Sequence, residues 1–463
     1  MEKNDIIEVT IEDMGVNGEG IGKIEGYPLF IKDAIIGDRV KAKITKANKN
    51  YGFARLSEIK SKSSFRVEPR CPVARPCGGC QIQEMCYEKQ LDFKENKVRS
   101  NLKKIGGFSE DKLATIMEPI VGMEKPFKYR NKASFPVGIN KNGKIVTGFY
   151  AGRTHKIIPN TDCVLGVEVN RDILETVITY MEENDISPYQ EEKRDGIVRH
   201  ILIRYGFTTK EIMVCLVIND ETKKQLNKIG KLVRKLEQTP GMTSIVINYN
   251  KEDTNVIMGE KMEVLWGQSY ITDYIGKIEY RISPHSFFQI NPLQTEKLYN
   301  LVMDYANLKG HEQVWDLYCG IGTISLFLSK RAKKVIGVEI VPQAVEDAKT
   351  NARINNIKNV DFITGKVEEI LPKNLNQQQV TAYNRPDIIV VDPPRKGCDK
   401  VLLKTILATK AEKVIYVSCD SATLARDLKY LCDGGYQLNK VRPVDMFPMT
   451  VSVECVTLLT KPA

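Results

Sequence analysis

The stretch HEQVWDLYCGIGTISLFLSKRA, residues 311–332, followed by KVIGVEI at 334–340, decides how the carboxyl-terminal part of this chain folds. An apolar run ends at Asp316, the chain turns through Gly320 and Gly322, and a helical pattern begins. Glycines there permit a tight turn and let backbone approach a ligand closely. A second apolar run closes on Glu339, and the two patterns keep alternating. PQAVEDAKTNARIN reads as helix, NVDFITG and PDIIVVDPP as strands, VLLKTILAT as helix, KVIYVSCD as strand and TLARDLKYLCDGG as helix, with YQLNKVRPVDMF and SVECVTLLTK closing the series. Such alternation predicts an α/β fold with a Rossmann-like, doubly wound parallel sheet.

Upstream the pattern differs. From Ile6 to about Ile59 the chain reads as short strands with period-two alternation, punctuated by Gly15, Gly18, Gly20, Gly22, Gly26 and Gly37. This predicts a small closed β-barrel, OB-like, of the kind that binds single-stranded nucleic acid. Between about Lys125 and Ser283 strands dominate, with helices expected near Asp172 to Glu182 and Thr222 to Glu237, a mixed α/β region. The 463 residues, at about 150 per domain, thus divide into a barrel over 1–60, a central domain over 61–285 and the doubly wound domain over 286–463.

With 42% hydrophobic and 27% charged residues the chain is neither disordered nor collagen-like. Its apolar runs fall short of the roughly 18 residues that a membrane span needs, and MEKNDIIEVTIEDMG lacks an export signal. A cytoplasmic protein with no membrane partner is expected, and no obligate protein partner is evident. The net charge of +10 is uneven: from Lys41 to Arg70, nine Lys or Arg face only Glu58 and Glu68, with Tyr51, Phe53 and Phe65 interleaved. A solvated basic face is the plain reading; a surface for RNA is the sharper one, because phosphate contacts supply most nucleic-acid affinity.

At the glycine turn, Glu339 ends the second strand, where a carboxylate can accept both ribose hydroxyls. Ser325 stands where a dinucleotide fingerprint would place its third glycine, so S-adenosyl-L-methionine fits better than a nicotinamide or flavin cofactor; a merely structural turn is the alternative. Three later segments end strands where doubly wound folds place chemistry. They are VVDPPRKG with Asp392, YVSCDSATLARDL with Cys419, and VSVECVTLL with Glu454. A lone cysteine is by default a small buried hydrophobe, and Cys215, Cys319, Cys398, Cys432 and Cys455 are read so. Cys419, between Ser418 and Asp420 where strand gives way to helix, can be an exposed thiolate. A thiolate adding to C6 of a pyrimidine makes its C5 nucleophilic toward a methyl donor, and a base must then remove the C5 proton. Glu454 is the nearest sensible base.

These residues resemble the RNA uracil-C5 methyltransferases, in particular the bacterial 23S rRNA enzymes. SPHSFFQIN, DLYCGIGT, DPPRKG, SCDSATLARDL and VECVTLL stand in that family's order, and the likeness covers nearly the whole chain. The resemblance implies Gln289, Tyr318, Glu339 and Asp392 as cofactor contacts, Cys419 as nucleophile, Glu454 as base, a TRAM-type barrel and an RNA substrate, 23S rRNA. Where members often carry a histidine before the last block, Val451 and Ser452 stand here.

RCPVARPCGGCQ places Cys71, Cys77 and Cys80 close together. A fourth ligand is needed, and spacing slightly favours Cys86 in a local zinc knuckle. The resemblance instead implies a 4Fe-4S cluster held by Cys71, Cys77, Cys80 and Cys163. Two rivals remain at this point: a tRNA uridine-C5 methyltransferase, and a non-catalytic RNA-binding ribosome assembly factor, which would leave Cys419 and Glu454 unexplained. An amino-directed methyltransferase would want an aromatic residue after Pro394, where Arg395 stands.

Overall fold

A computed structural model describes residues 1–219, 222–376 and 385–462. Strands β1 (Ile6–Met14), β2 (Gly20–Ile24), β3 (Tyr27–Lys32), β4 (Arg39–Ala47) and β5 (Gly52–Ser61) close into a barrel in the order β1-β2-β3-β5-β4. The alternation of β4 shows why. Val40, Ala42 and Ile44 turn inward to meet Val9, Ile11, Leu29 and Ile31, while Lys41 and Lys43 face outward. Lys41 and Lys43 therefore lie on the outside of the barrel, whereas Arg66 of the same basic run turns in to the buried Asp38.

Helices α1 (Tyr87–Lys104) and α2 (Glu110–Ile116) come next. Their buried residues Val98, Leu102, Leu113 and Ile116 join the core of the carboxyl-terminal sheet. The central sheet contains β6 (Lys132–Ile139), β7 (Ile145–Tyr150) and β8 (Ile157–Pro159). After α3 (Val169–Glu183) it adds β9 (Val198–Tyr205) and β10 (Ile212–Ile218), and after α4 (Lys223–Leu236) β11 (Met242–Tyr249) and β12 (Lys261–Gly267). Its order is β12-β11-β10-β9-β6-β7-β8, with only β10 and β11 parallel. The hairpin β13 (Ile271–Ile275) and β14 (Ile278–Ile282) stands apart and packs into the carboxyl-terminal core.

After α5 (Pro292–Ala306) the expected alternation appears: β15 (Gln313–Leu317), α6 (Thr323–Leu328), β16 (Lys334–Glu339), α7 (Pro342–Ile354), β17 (Val360–Thr364), α8 (Val367–Asn376), β18 (Ile388–Val391), α9 (Lys400–Thr409), β19 (Lys413–Ser418), α10 (Ser421–Asp433), β20 (Gln437–Val444) and β21 (Glu454–Thr460). The sheet order is β17-β16-β15-β18-β19-β21-β20. Ile388 to Val391 are all buried, as strands covered by helices on both faces must be. The expected wholly parallel sheet needs one correction, because β21 inserts between β19 and β20 and runs antiparallel to both. Residues 445–453 carry no helix, and a parallel crossover needs a dozen or more residues, usually helical.

That connection is a meeting point. Lys94 Nζ, fully buried on α1, lies 2.5 Å from the equally buried Asp445 Oδ1 and donates to Phe447 O at 2.9 Å. Tyr87 OH donates to Asp445 Oδ2 (2.8 Å), Tyr129 OH to Pro448 O (3.1 Å), Asn291 Nδ2 to Met446 O (2.9 Å) and Lys97 Nζ to Val451 O (3.0 Å). Burial pulls the Lys94 ammonium below its usual range, and Asp445 opposes the shift. No helix among the described residues is long and apolar enough to cross a membrane.

Removing one partner of a buried ion pair leaves the other uncompensated and costs about 3–5 kcal/mol. Lys94→Met is therefore expected to lower the guanidinium unfolding midpoint by that much free energy at an unchanged denaturant slope. A shift below about 1 kcal/mol would show that the pair is not a keystone.

Candidate active site

Tyr318 follows β15, Glu339 ends β16, Asp392 follows β18 and Cys419 follows β19, so four parallel strands deliver four side chains to one edge of the sheet. Glu454 reaches that edge for a different reason. It is the first residue of an antiparallel strand whose Cys455 pairs with Ser418, which sets Glu454 beside Cys419. A parallel last strand would have carried it to the opposite edge. Gln289 completes the group from the segment before α5, held by Asn131 Nδ2, which donates to its backbone carbonyl at 3.0 Å. All six side chains line one cleft of about 1220 Å³.

The end of the cleft around Glu339 is pre-shaped. Glu339 accepts from Gly320 N at 3.1 Å and from Val341 N at 2.9 Å, which fixes its carboxylate at the strand end. Gly320 has φ +55° and nothing within 4 Å of where a Cβ would lie, an opening that admits a ligand close to backbone. Ser325, in the place of a third glycine, donates to the buried Asp316 and ties strand to helix. Tyr318, at φ +67°, donates from its hydroxyl to Glu368 Oε1 at 2.7 Å.

The end around Cys419 brings the acids Asp392 and Glu454 together. Glu454 is 4% exposed; burial first, then Asp392, push its carboxyl up to about 8, with Arg395 opposing. Burial pushes Asp392 up to about 7. The Cys419 thiol is pushed up to about 11 by burial, then by Glu454 and Asp392, while Arg395 pulls it down. Behind Cys419, Asp420 caps α10 by accepting from Ala422 N and Thr423 N at 2.9 Å each, and Asn101 of α1 donates to Ser421 Oγ at 2.8 Å.

Reading the sequence left out two cleft residues. Phe287 is 68% exposed and faces the cleft; the paired aromatics of SPHSFFQIN were the available signal. Arg130 also lines the cleft, beside Gly79 of the cysteine-rich turn, and its spacing carries no signal at all. Val451, by contrast, leaves the cleft and packs toward the barrel near Gly18.

The four thiols named for a cluster lie near one another. Burial pushes up Cys71, Cys77 and Cys80, the last to about 12, and Cys163 adds to the shift of each. Cys86 instead stands at the N-cap position of α1 with no side-chain hydrogen bond to the helix, and its N–H donates to Phe65 O at 2.8 Å. Among the described residues no group of three or more His, Cys, Asp or Glu is placed to hold a metal ion. Cys215, Cys319, Cys398 and Cys455 are buried and Cys432 is half-buried.

The acids of the cleft make stability depend on pH. Glu454 holds its proton in the folded state up to about pH 8, against an ordinary 4.5, so between those values the unfolded chain is ionised first and stability falls as pH rises. Glu454→Gln removes the titration. Its melting temperature should lie close to the wild type's at pH 5 and several degrees above it at pH 8.5. A gap that stays constant across that range would contradict the raised carboxyl.

Residues 175–462 match the family described as tRNA (Uracil-5-)-methyltransferase, and residues 2–57 match the TRAM domain. An uncharacterised RNA methyltransferase of Listeria innocua is 48% identical over 460 residues, 99% of this chain and 98% of that one. Another from Halalkalibacterium halodurans is 48% identical over the same shares. Among solved structures, the Pyrococcus abyssi tRNA (uracil-54, C5)-methyltransferase in complex with S-adenosyl-L-homocysteine superposes with a TM-score of 0.76. It is 27% identical and is matched over 98% of this chain and 100% of that one. An N-terminal barrel that matches TRAM, a doubly wound sheet and a family match over most of the chain lead to one conclusion: this protein belongs to the tRNA (uracil-5-)-methyltransferase family and is an S-adenosylmethionine-dependent RNA uracil-C5 methyltransferase.

Proposed function

We propose that the protein methylates C5 of a uridine in 23S rRNA through a covalent adduct on Cys419, resolved by Glu454. The observation that carries this reading is the gathering of Gln289, Tyr318, Glu339, Asp392, Cys419 and Glu454 around one cleft. In this reading residues 1–60 bind RNA, 61–285 form the cysteine-bearing central domain and 286–463 carry out the transfer. Glu339, Gln289, Tyr318 and Asp392 hold the cofactor, which supplies an electrophilic methyl group on a sulfonium.

Cys419 Sγ bonds to C6 of the uracil, which moves the C5–C6 π electrons onto C5 and O4. C5 takes the methyl group and S-adenosylhomocysteine is left. Glu454 accepts the C5 proton as the carboxylate, the form that Arg395 and a cationic methyl donor favour over the protonated one that burial favours; the C5–C6 double bond re-forms and the Sγ–C6 bond breaks, returning the thiolate. The target base must leave its stack to reach the cleft, and the open ring of Phe287 offers it a stacking face. Arg395 already opposes the burial and acids that leave the Cys419 thiol at about 11, and the positive sulfonium would favour the thiolate further.

Cys71, Cys77, Cys80 and Cys163 are proposed to hold a 4Fe-4S cluster. What supports this set is the electrostatic influence of Cys163 on Cys71, Cys77 and Cys80 together with the family resemblance. Methyl transfer moves no electrons, so the cluster would pin the cysteine-rich turn to the central domain. A tRNA substrate is the second reading. It is favoured by the likeness to a tRNA enzyme over 98% of this chain, a match that takes in the barrel. Transfer of labelled methyl to unmodified 23S rRNA but not to unmodified tRNA supports the first reading, and the reverse supports the second.

Cys419→Ala should abolish both methyl transfer and any covalent species. Glu454→Gln should accumulate a methylated protein–RNA adduct that survives denaturing electrophoresis, because addition proceeds while elimination stalls. Turnover of Glu454→Gln at the wild-type rate would assign the base elsewhere. Anaerobically purified protein should be brown, with iron and acid-labile sulfide at about four each per chain. Cys163→Ser should lose the colour while Cys86→Ser keeps it; zinc without iron would overturn the assignment.

A further inference from the structure

The groove between the barrel and α1, about 540 Å³ in volume, belongs to neither the cleft nor a packed core. One wall is the barrel, with Val16, Ile21 and Phe30; the other is a single face of α1, with Lys89, Asn96, Lys97 and Lys104. Phe93 of the same helix face is buried among Ile35, Ile82 and Met85, and the lysines and asparagines line the groove that stays open beside it. Asp13 is the one acid among its lining residues, and Lys89 also pairs with the exposed Asp92 at 3.2 Å. Phe30 stands edge-on to the exposed Tyr51, at 6.0 Å between ring centroids, with Phe53 at 5.7 Å, so an aromatic surface continues out of the groove onto the barrel.

We propose that this groove is a second RNA subsite, seating single-stranded nucleotides that flank the methylated uridine. Bases would lie against the apolar and aromatic wall, and phosphates against Lys89 and Lys104. An amphipathic groove of this kind matches a nucleotide, which has a π face on one side and an anion on the other. The helix that walls the groove also reaches the wall of the cleft, which bears on the choice of occupant. Asn101, on the same helix face, holds Ser421 two residues past Cys419, and Lys97 holds the carbonyl of Val451, next to Ser452 in the cleft wall. The assignment rests on the protein acting on RNA, and it adds that the barrel and α1 bind the strand jointly.

The test measures binding of a fluorescein-labelled single-stranded oligouridylate to the full-length chain over a salt series. Lys89→Gln/Lys104→Gln should weaken binding at least tenfold at low salt and reduce the slope of log affinity against log salt by about 0.7 for each phosphate that is no longer neutralised. Phe30→Leu keeps apolar volume in the barrel wall; it should weaken binding at least fivefold with the slope unchanged. S-adenosylhomocysteine affinity should stay at the wild-type value in both variants, which reports an intact fold. With 4-thiouridine in the oligonucleotide, crosslinks should fall on peptides from β3 or α1. Wild-type affinity and slope in the lysine variant, or crosslinks confined to the cleft, would overturn the groove. Failure of the wild-type chain to bind the oligouridylate at all would instead count against single-stranded RNA as its ligand.

Discussion

The buried pair of Lys94 and Asp445 holds the one connection on which every other part of the molecule closes. Between β20 and β21 the chain runs over the carboxyl edge of the sheet without a helix, and its carbonyls are taken up by α1, by Tyr129 ahead of the central sheet, by Asn291 at the start of α5 and by the cysteine-rich turn. Unpaired backbone groups in so enclosed a place would each cost free energy, so the neighbours must sit where they do. Met449, at φ +68° without being glycine, is the point where the turn is tightest. The connection delivers Glu454 to its position, which makes the ion pair a device for registering the reactive end of the cleft.

That end is costly to build. Three carboxyl groups, Asp316, Asp392 and Glu454, lie where burial raises them to about 7 or 8. Asp316 is accommodated by Ser325 and serves the turn. Asp392 and Glu454 face the cleft, and Arg395 is the cation that counters Glu454 and Cys419. An acid held near neutrality can accept a proton during turnover and give it up afterwards, while its burial destabilises the empty protein. Stability is exchanged here for a site that responds to a cationic ligand.

The antiparallel insertion of β21 shows how far local reading reaches. Alternation of strand and helix identified the doubly wound sheet, because a parallel strand covered on both faces needs a long apolar run and each crossover needs a helix. The same pattern is silent about a strand that follows without a helix, and only the pairing of Ser418 with Cys455 sets its direction. Likewise Val98 and Leu102 of α1 bury against the carboxyl-terminal core while Lys89 and Lys104 face the barrel. Which neighbour a helix face meets is a property of the assembled chain.

By itself the sequence determined what depends on chemistry near in the chain: the glycine turn between Asp316 and the helix, Glu339 at the next strand end, a cysteine between polar residues where strand becomes helix, and inward alternation in a barrel with its lysines outside. Turns, caps and period-two burial are set by backbone sterics and solvation over a few residues, so they can be read directly. Tertiary structure alone decided the rest. It placed Glu454 against Cys419, opened Phe287 and Arg130 to the cleft, brought Cys163 to Cys71, Cys77 and Cys80 while leaving Cys86 at the N-cap position of α1, and left a groove between the barrel and α1. These juxtapositions join residues tens to hundreds of positions apart. They follow from burial and buried-group pairing summed over the whole chain, which no local pattern carries.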